Sequence, residues 1–151
     1  MSYNINNLKT NLGNSYSKII KSADYNNLMT NQHLYIAESD KFIENFIKNK
    51  AIKRKLEVLE LGCGPGRILK NIAQVPNINL TAIDKDEDFI EYSRNLLKDY
   101  QVKIFNCGAK DYKHSHPVSI FYSQGFHHHI QKGKETNLYL SNIYNQLEVG
   151  G

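Results

Sequence analysis

The chain has 151 residues, with 19 basic and 15 acidic side chains for a formal charge of +4, 40% hydrophobic and 23% charged residues. That length suits one domain and can bury roughly two-thirds of the surface its unfolded form exposes. Neither a disulfide framework nor a structural metal is needed, and the ordinary composition argues against wholesale disorder. No apolar run approaches the roughly 20 residues of a bilayer span. Residues 1–7 show no charged-then-apolar leader pattern. The expectation is a soluble, cytoplasmic protein with no membrane partner. Lys, Asn and Ile together make up about a third of the chain, above ordinary usage. All three have AT-rich codons, so the positive charge is weak evidence for a nucleic-acid partner.

Residues 1–14 are polar and Asn-rich and read as a disordered arm. Residues 15–55 read as N-terminal helices. Tyr16, Ile19, Ile20 and Ala23 fall at i, i+3, i+4 and i+7, and a second stripe follows at Phe42, Ile43, Phe46 and Ile47. Ser39 or Asp40 is placed to start the last turns of that second helix, with a loop at residues 26–31 before it. Lys48 to Lys55 carries five basic residues. Such a run is ordinarily a solvated linker. The alternative is a phosphate-contacting patch.

The chain then alternates. Leu56–Leu61 is strand-like, and Arg67–Gln74 is helical with Ile68, Leu69 and Ile72 on one side. Ile78–Asp84 is a second strand. Asp86–Tyr100 is a helix with Phe89, Ile90, Ser93 and Leu97 on one face and Asp86 as its N-cap. Val102–Phe105 and Val118–Ser123 are a third and a fourth strand. Lys134–Leu147 is a closing helix with Leu138, Ile143 and Leu147 on one face. Strands alternating with helices predict an α/β fold with a doubly wound, mostly parallel sheet. Cys63 and Cys107 have no nearby cysteine partner, and reduced thiols are expected.

The decisive segment is Val58-Leu59-Glu60-Leu61-Gly62-Cys63-Gly64-Pro65-Gly66-Arg67. A strand runs into a turn with glycines at alternate positions, and a helix follows. Glycine is needed where backbone turns tightly or lies against a ligand, and the helix start offers free N–H groups. A nicotinamide-dinucleotide fingerprint, G-x-G-x-x-G, would place its third glycine at position 67, which is Arg67. Asp84 ends the second strand, 24 positions beyond Glu60. In this topology an acid there sits beside the turn and can accept hydrogen bonds from both hydroxyls of a ribose.

From about Leu56 to Gly151 the chain resembles the class I S-adenosylmethionine-dependent methyltransferases, a Rossmann-like family. Glu60-Leu61-Gly62-Cys63-Gly64-Pro65-Gly66 is similar to their motif E/D-x-G-x-G-x-G. The resemblance implies S-adenosylmethionine as cofactor, and makes residues 56–151 its binding domain and residues 15–55 a helical lid over the acceptor. It implies contacts from Gly62, Cys63, Gly64 and Gly66, with Glu60 facing the cofactor's cationic amino-acid end and Asp84 the ribose. It also implies Ala109 and Asp111 as neighbours of adenine, although Cys107-Gly108-Ala109-Lys110-Asp111-Tyr112 keeps the family's loop only in part. Ser119 to Ile130 is similar to the stretch D-h-V-h-S-x-x-x-L-H-H-h of small-molecule methyltransferases, where h is apolar, with Ser119 where the acid would stand.

Three consecutive histidines, His127 to His129, diverge on any regular element, so no metal site is expected there. They follow a central strand's C-terminal end, where open α/β sheets place ligands. His129 or His127 is therefore the candidate for a general base or for orienting an acceptor. Ser123-Gln124-Gly125-Phe126 stands where adenine and glutamine methylators carry D/N-P-P-Y/F. A small-molecule acceptor is expected. The alternatives are an RNA or protein acceptor, and a non-catalytic module that holds S-adenosylmethionine or its demethylated product. Leu147-Glu148-Val149-Gly150-Gly151 is similar to the turn that introduces the family's fifth strand. The fold is thus expected to be incomplete at the C-terminus. Strand 118–123 would then expose an edge for self-association or for further strands of a longer protein.

Overall fold

A computed structural model describes residues 21, 23–27, 34–124 and 134–149. The arm at residues 1–14 and the stripe residues Tyr16, Ile19 and Ile20 lie outside the described residues. Residues 23–27 form a short helical turn. The elements that follow are α1 (Leu34–Ala51), β1 (Leu56–Leu61), α2 (Leu69–Ile72), β2 (Ile78–Asp84), α3 (Glu87–Leu96), β3 (Val102–Asn106), β4 (Ile120–Tyr122) and α4 (Lys134–Tyr144).

The four strands form one sheet in the order β3-β2-β1-β4, and every pairing is parallel. The chain grows outward from β1 to one side and then crosses back to the other, which is the doubly wound arrangement read from the sequence. The register sets Glu60 opposite Ala82 on β2 and opposite Tyr122 on β4. A central parallel strand is covered on both faces, so it reads as a continuous apolar run rather than an alternating one. Leu-Glu-Val-Leu-Glu-Leu of β1 fits this, with Val58, Leu59 and Leu61 all buried.

Alternation then sorts the side chains. Val58, Leu80 and Ala82 pack with Ile47 and Ala51 of α1, Leu69 and Ile72 of α2 and Ile90 of α3. Leu59, Leu61 and Ile83 face the other way and pack with Val118 and with Tyr139 and Ile143 of α4. Three helices therefore cover one face and α4 covers the other.

Several boundaries differ from the sequence reading, each for a physical reason. α1 starts at Leu34 and runs through Ser39 and Asp40. Those two side chains do not cap, because Gln124 and Arg67 engage them instead. On α1 the core-facing residues are Ile43 and Ile47. Phe42 is 70% exposed and stacks on Phe46 at a centroid distance of 6.3 Å. Asn26 and Asn27 belong to the 23–27 turn rather than to a loop. On α4 the buried residues are Tyr139 and Ile143, and Leu138 is 68% exposed. β4 is shorter than the apolar run 118–123 because Val118 leaves the ladder. Its N–H donates to Gln146 O at 2.7 Å, and its carbonyl accepts from Glu148 N at 3.0 Å. The chain after α4 thus runs parallel beside Val118, bridged at Leu147.

The basic run is largely engaged within the molecule. Lys48 pairs with Glu44, Lys50 lies 5.5 Å over the Phe46 ring, and Arg54 grips both carboxylate oxygens of Glu148. Ser119, at the position where the family carries an acid, donates to Glu148 at 3.2 Å and accepts from Glu57 N at 3.1 Å. No helix among the described residues is long and apolar enough to cross a membrane.

Ile47 is fully buried and fixes α1 against the sheet. Ile47→Ala removes apolar atoms from a packed site and leaves a cavity. We expect it to lower the unfolding free energy by about 2–5 kcal/mol in urea denaturation.

Candidate functional site

β1 ends in a turn whose backbone only glycine adopts freely. Gly62, Gly64 and Gly66 have φ of 69°, 52° and 77°. Positive φ at three alternate positions is costly for any residue with a Cβ. The turn is pinned to β2, since Gly62 N and Cys63 N both donate to Ile83 O, at 2.9 and 3.0 Å. It is pinned to α3 by Ser93, whose hydroxyl donates to Gly64 O at 2.9 Å. A Cβ on Gly66 would come within 3.0 Å of that same hydroxyl oxygen. A Cβ on Gly64 would meet only Phe89, at 3.9 Å, among nearby protein atoms. The second glycine therefore leaves open space beside the backbone, as a turn that receives a ligand requires.

Asp84 stands at the end of β2 as expected. Its carboxylate is not idle: Oδ2 accepts from Gly64 N at 2.8 Å and Oδ1 from Asp86 N at 2.9 Å. Asp86 caps α3, accepting from Phe89 N at 3.3 Å. A carboxylate offers about four lone-pair positions, so Asp84 can hold the turn and still accept from a ligand. Burial pushes its carboxyl above the ordinary range, against the pull of its backbone donors.

Glu60 is the least accessible acid of the site, 3% exposed. Tyr122 of β4 donates its hydroxyl to Glu60 Oε2 at 2.8 Å. Loss of solvation raises the Glu60 carboxyl to about 8, Tyr122 opposes that shift, and the neighbouring charge of Asp84 adds to it. Cys63 is buried in the core cluster, its thiol pushed up by burial and then by Glu60 and Asp84. Its sulfur is structural, and its contribution to the turn is backbone.

The loop after β3 is tied to the same place. Cys107 N donates to Asp84 O at 2.9 Å, and Asp111 N to Gly108 O at 3.0 Å. Asp111 is exposed. Ala109, in contrast, packs its side chain into the cluster on the α4 face, and Asn142 bonds its carbonyl at 3.3 Å. Only its backbone is left for a ligand. His127 and His129 lie outside the described residues.

Two features were not read from the sequence. The Glu60–Tyr122 couple depends on the β1–β4 register, which no local pattern announces. The other is a polar network over the turn. Arg67 pairs with Asp40 of α1 and donates to Gln124 at 3.2 Å, while Gln124 donates to Ser39. In the same region Asn26 donates to Pro65 O at 3.1 Å, and the Tyr25 ring lies 5.4 Å from that of Phe89. The N-terminal segment therefore covers the glycine turn.

The residues present fit a nucleoside carrying a cationic tail. They supply an open glycine backbone, a carboxylate at the end of β2 for hydroxyl donors, and a buried acid for positive charge.

The sequence model of a family described as methyltransferase domain matches residues 58–151. No curated protein matches the chain. Among solved structures, DesVI of Streptomyces venezuelae is 18% identical with a TM-score of 0.69, over 87% of this chain and 55% of that one. The plantazolicin methyltransferase BpumL, in complex with a pentazolic desmethylPZN analog and SAH, is 21% identical with a TM-score of 0.64, over 84% and 48%. Magnesium protoporphyrin IX methyltransferase from Synechocystis PCC 6803, with bound SAM, is 12% identical with a TM-score of 0.64, over 74% and 54%. The chain spans about half the length of the solved structures it matches.

The raised carboxyl of Glu60 has a consequence for stability. Its folded value, about 8, lies above the unfolded value near 4.5. Its contribution is therefore full below the unfolded value and is lost as pH rises through about 8. Thermal stability is expected to fall across that window. Glu60→Gln, which keeps an acceptor for Tyr122 but cannot ionise, is expected to flatten this part of the profile in melts at several pH values.

Proposed function

The chain belongs to the methyltransferase-domain family, and on that premise we propose that it binds S-adenosylmethionine and passes its methyl group to a small-molecule acceptor. The observation that carries the proposal is the alternate-glycine turn at Gly62, Gly64 and Gly66, closed by the Asp84 carboxylate on Gly64 N at 2.8 Å and backed by buried Glu60. In this reading Gly62, Cys63, Gly64 and Gly66 supply backbone to the cofactor wall. Asp84 accepts from the ribose hydroxyls with its remaining lone pairs. Glu60 answers the cationic amino-acid end. Asp111 and the backbone of Ala109 border adenine.

The cofactor supplies an activated methyl on a sulfonium, and the transfer is an in-line displacement by the acceptor's lone pair. What the protein must add is alignment and exclusion of water. The Asp40–Arg67–Gln124–Ser39 network supports the helical lid in that role, because it fastens α1 across the mouth of the turn. A base is needed only where the acceptor atom must lose a proton, and His129 or His127 remains the candidate by its position after β4. An RNA acceptor draws less support, since Lys48, Lys50 and Arg54 already have partners within the chain. The non-catalytic alternative shares the cofactor contacts and differs only in turnover.

The sheet edge supports a further expectation, either self-association of this chain through β4 or pairing of that edge with further strands of a longer protein. Among the described residues no strand pairs with the outer edge of residues 120–122, and a cavity of about 250 Å³ lined by Phe46, Leu56, Ile120, Phe121 and Leu147 lies beside it. Unpaired strand edges invite pairing. For self-association, light scattering is expected to show a dimer that dissociates on dilution, and a stable monomer at high concentration would refute it.

Calorimetry is expected to show S-adenosylmethionine binding and no binding of NAD, with the reverse result sinking the assignment. Asp84→Ala is expected to weaken cofactor binding by about 1.5–3 kcal/mol. Part of that loss comes from loosening the turn, because Gly64 N loses its acceptor. Asp84→Asn, which keeps one acceptor oxygen, is expected to fall between the two.

A further inference from the structure

We propose that Tyr122 is a positioning residue, whose hydroxyl holds the Glu60 carboxylate at the glycine turn so that arrival of the cofactor's cationic end draws a proton out of the site. The inference rests on the cofactor reading above and adds a residue and a coupled ionisation to it.

The argument begins with register. Tyr122 and Glu60 are direct partners on adjacent parallel strands, so their side chains share a face and stand about 5 Å apart at the backbone. Both are nearly inaccessible, and the Tyr122 hydroxyl donates to Glu60 Oε2 at 2.8 Å. A buried carboxylate is costly unless it is hydrogen-bonded and paired with a cation. Here the hydrogen bond is present. The cation is not: among the described residues the ion pairs join Lys48 to Glu44, Arg54 to Glu148 and Arg67 to Asp40, and none reaches Glu60.

Among the described residues the groups that act on Glu60 are neutral or negative. Asp84 comes from the end of β2, Cys63 from the turn and Tyr122 from β4. The helices packed on that face contribute apolar side chains, Leu69 and Ile72 from α2 and Ile90 from α3. Among the described residues the site therefore lacks a cation, and Tyr122 is the donor that favours the ionised acid. Burial holds Tyr122 itself far from ionisation, so it remains a donor throughout.

The proton balance is simple. Without ligand, and below about 8, Glu60 is protonated, and the Tyr122 O–H donates to its carboxyl oxygen. When a cationic ligand arrives, the Glu60 O–H bond breaks and the proton passes to solvent. The Tyr122 O–H then donates to the carboxylate. No other bond changes.

The test is calorimetry with S-adenosylhomocysteine, which carries the ammonium and is not turned over, in buffers of different ionisation enthalpy. At about pH 7 the unsubstituted chain is expected to release up to one proton per ligand bound, and its affinity is expected to rise toward about pH 9. Tyr122→Phe keeps the ring in the core and removes the donor. It is expected to bind about tenfold more weakly at neutral pH and to recover toward the unsubstituted affinity at high pH, a shift of about one pH unit. Glu60→Gln is expected to bind with no proton release and no dependence on pH in this range. Binding by the unsubstituted chain without proton release overturns the inference and leaves the cofactor reading standing. A Tyr122→Phe protein whose affinity keeps the unsubstituted pH profile also overturns it, because a purely structural tyrosine would alter stability alone. No binding by the unsubstituted chain at any pH overturns the cofactor reading and this inference together.

Discussion

The arrangement of the molecule depends on one backbone constraint, the left-handed conformation at Gly62, Gly64 and Gly66 where β1 ends. Within itself that turn has the hydrogen bond from Gly66 N to Cys63 O at 3.1 Å. It is held from three sides: by Ile83 O of β2, by the Asp84 carboxylate, and by the Ser93 hydroxyl of α3. The strands and helices around it place these three groups. The parallel β1–β2 register carries Ile83 and Asp84 to the turn, and burial of Phe89 and Ile90 sets α3 so that Ser93 reaches Gly64 O.

Burial and charge conflict at the same spot. The core that rigidifies the turn also removes water from Glu60 and Asp84, and this burial raises both carboxyls above the ordinary range, with the charge of Asp84 adding to the shift of Glu60. A protein selected for stability alone would place apolar residues there, since unpaired buried acids are costly. Under the proposed function, a ligand that brings hydroxyl donors and positive charge would account for their presence, and its binding would offset the cost of burying them.

Much of this was legible in the sequence. Alternate glycines after an apolar run can be read directly, because few backbones other than such a turn need glycine at every second position. Asp86 as cap and Asp84 as strand-end acid follow from spacing. The α/β class follows from the alternation of strand and helix patterns. What could not be read depends on distant parts of the chain meeting. Tyr122 looks like one more residue of a β-strand until its register with Glu60 is known. Ser39 and Asp40 look like helix starters because short polar residues usually are, yet tertiary partners claim their side chains. Leu138 and Phe42 fit the helical period, but the width of the apolar stripe does not say which edge of it meets the sheet. Ala109 packs its methyl among Leu59, Leu61 and Ile83 on the α4 face, a contact that no local pattern announces.

The central claim is that the glycine turn and the ends of β1 and β2 form a cofactor-binding surface. Backbone amide chemical shifts, followed as S-adenosylhomocysteine is added to the 151-residue chain, test it most directly. The account predicts saturable shifts concentrated at residues 60–66, 84–86 and 107–111, with α4 nearly unchanged. Saturable binding whose shifts fall instead beside the β4 edge, or no shift at the turn, would contradict it.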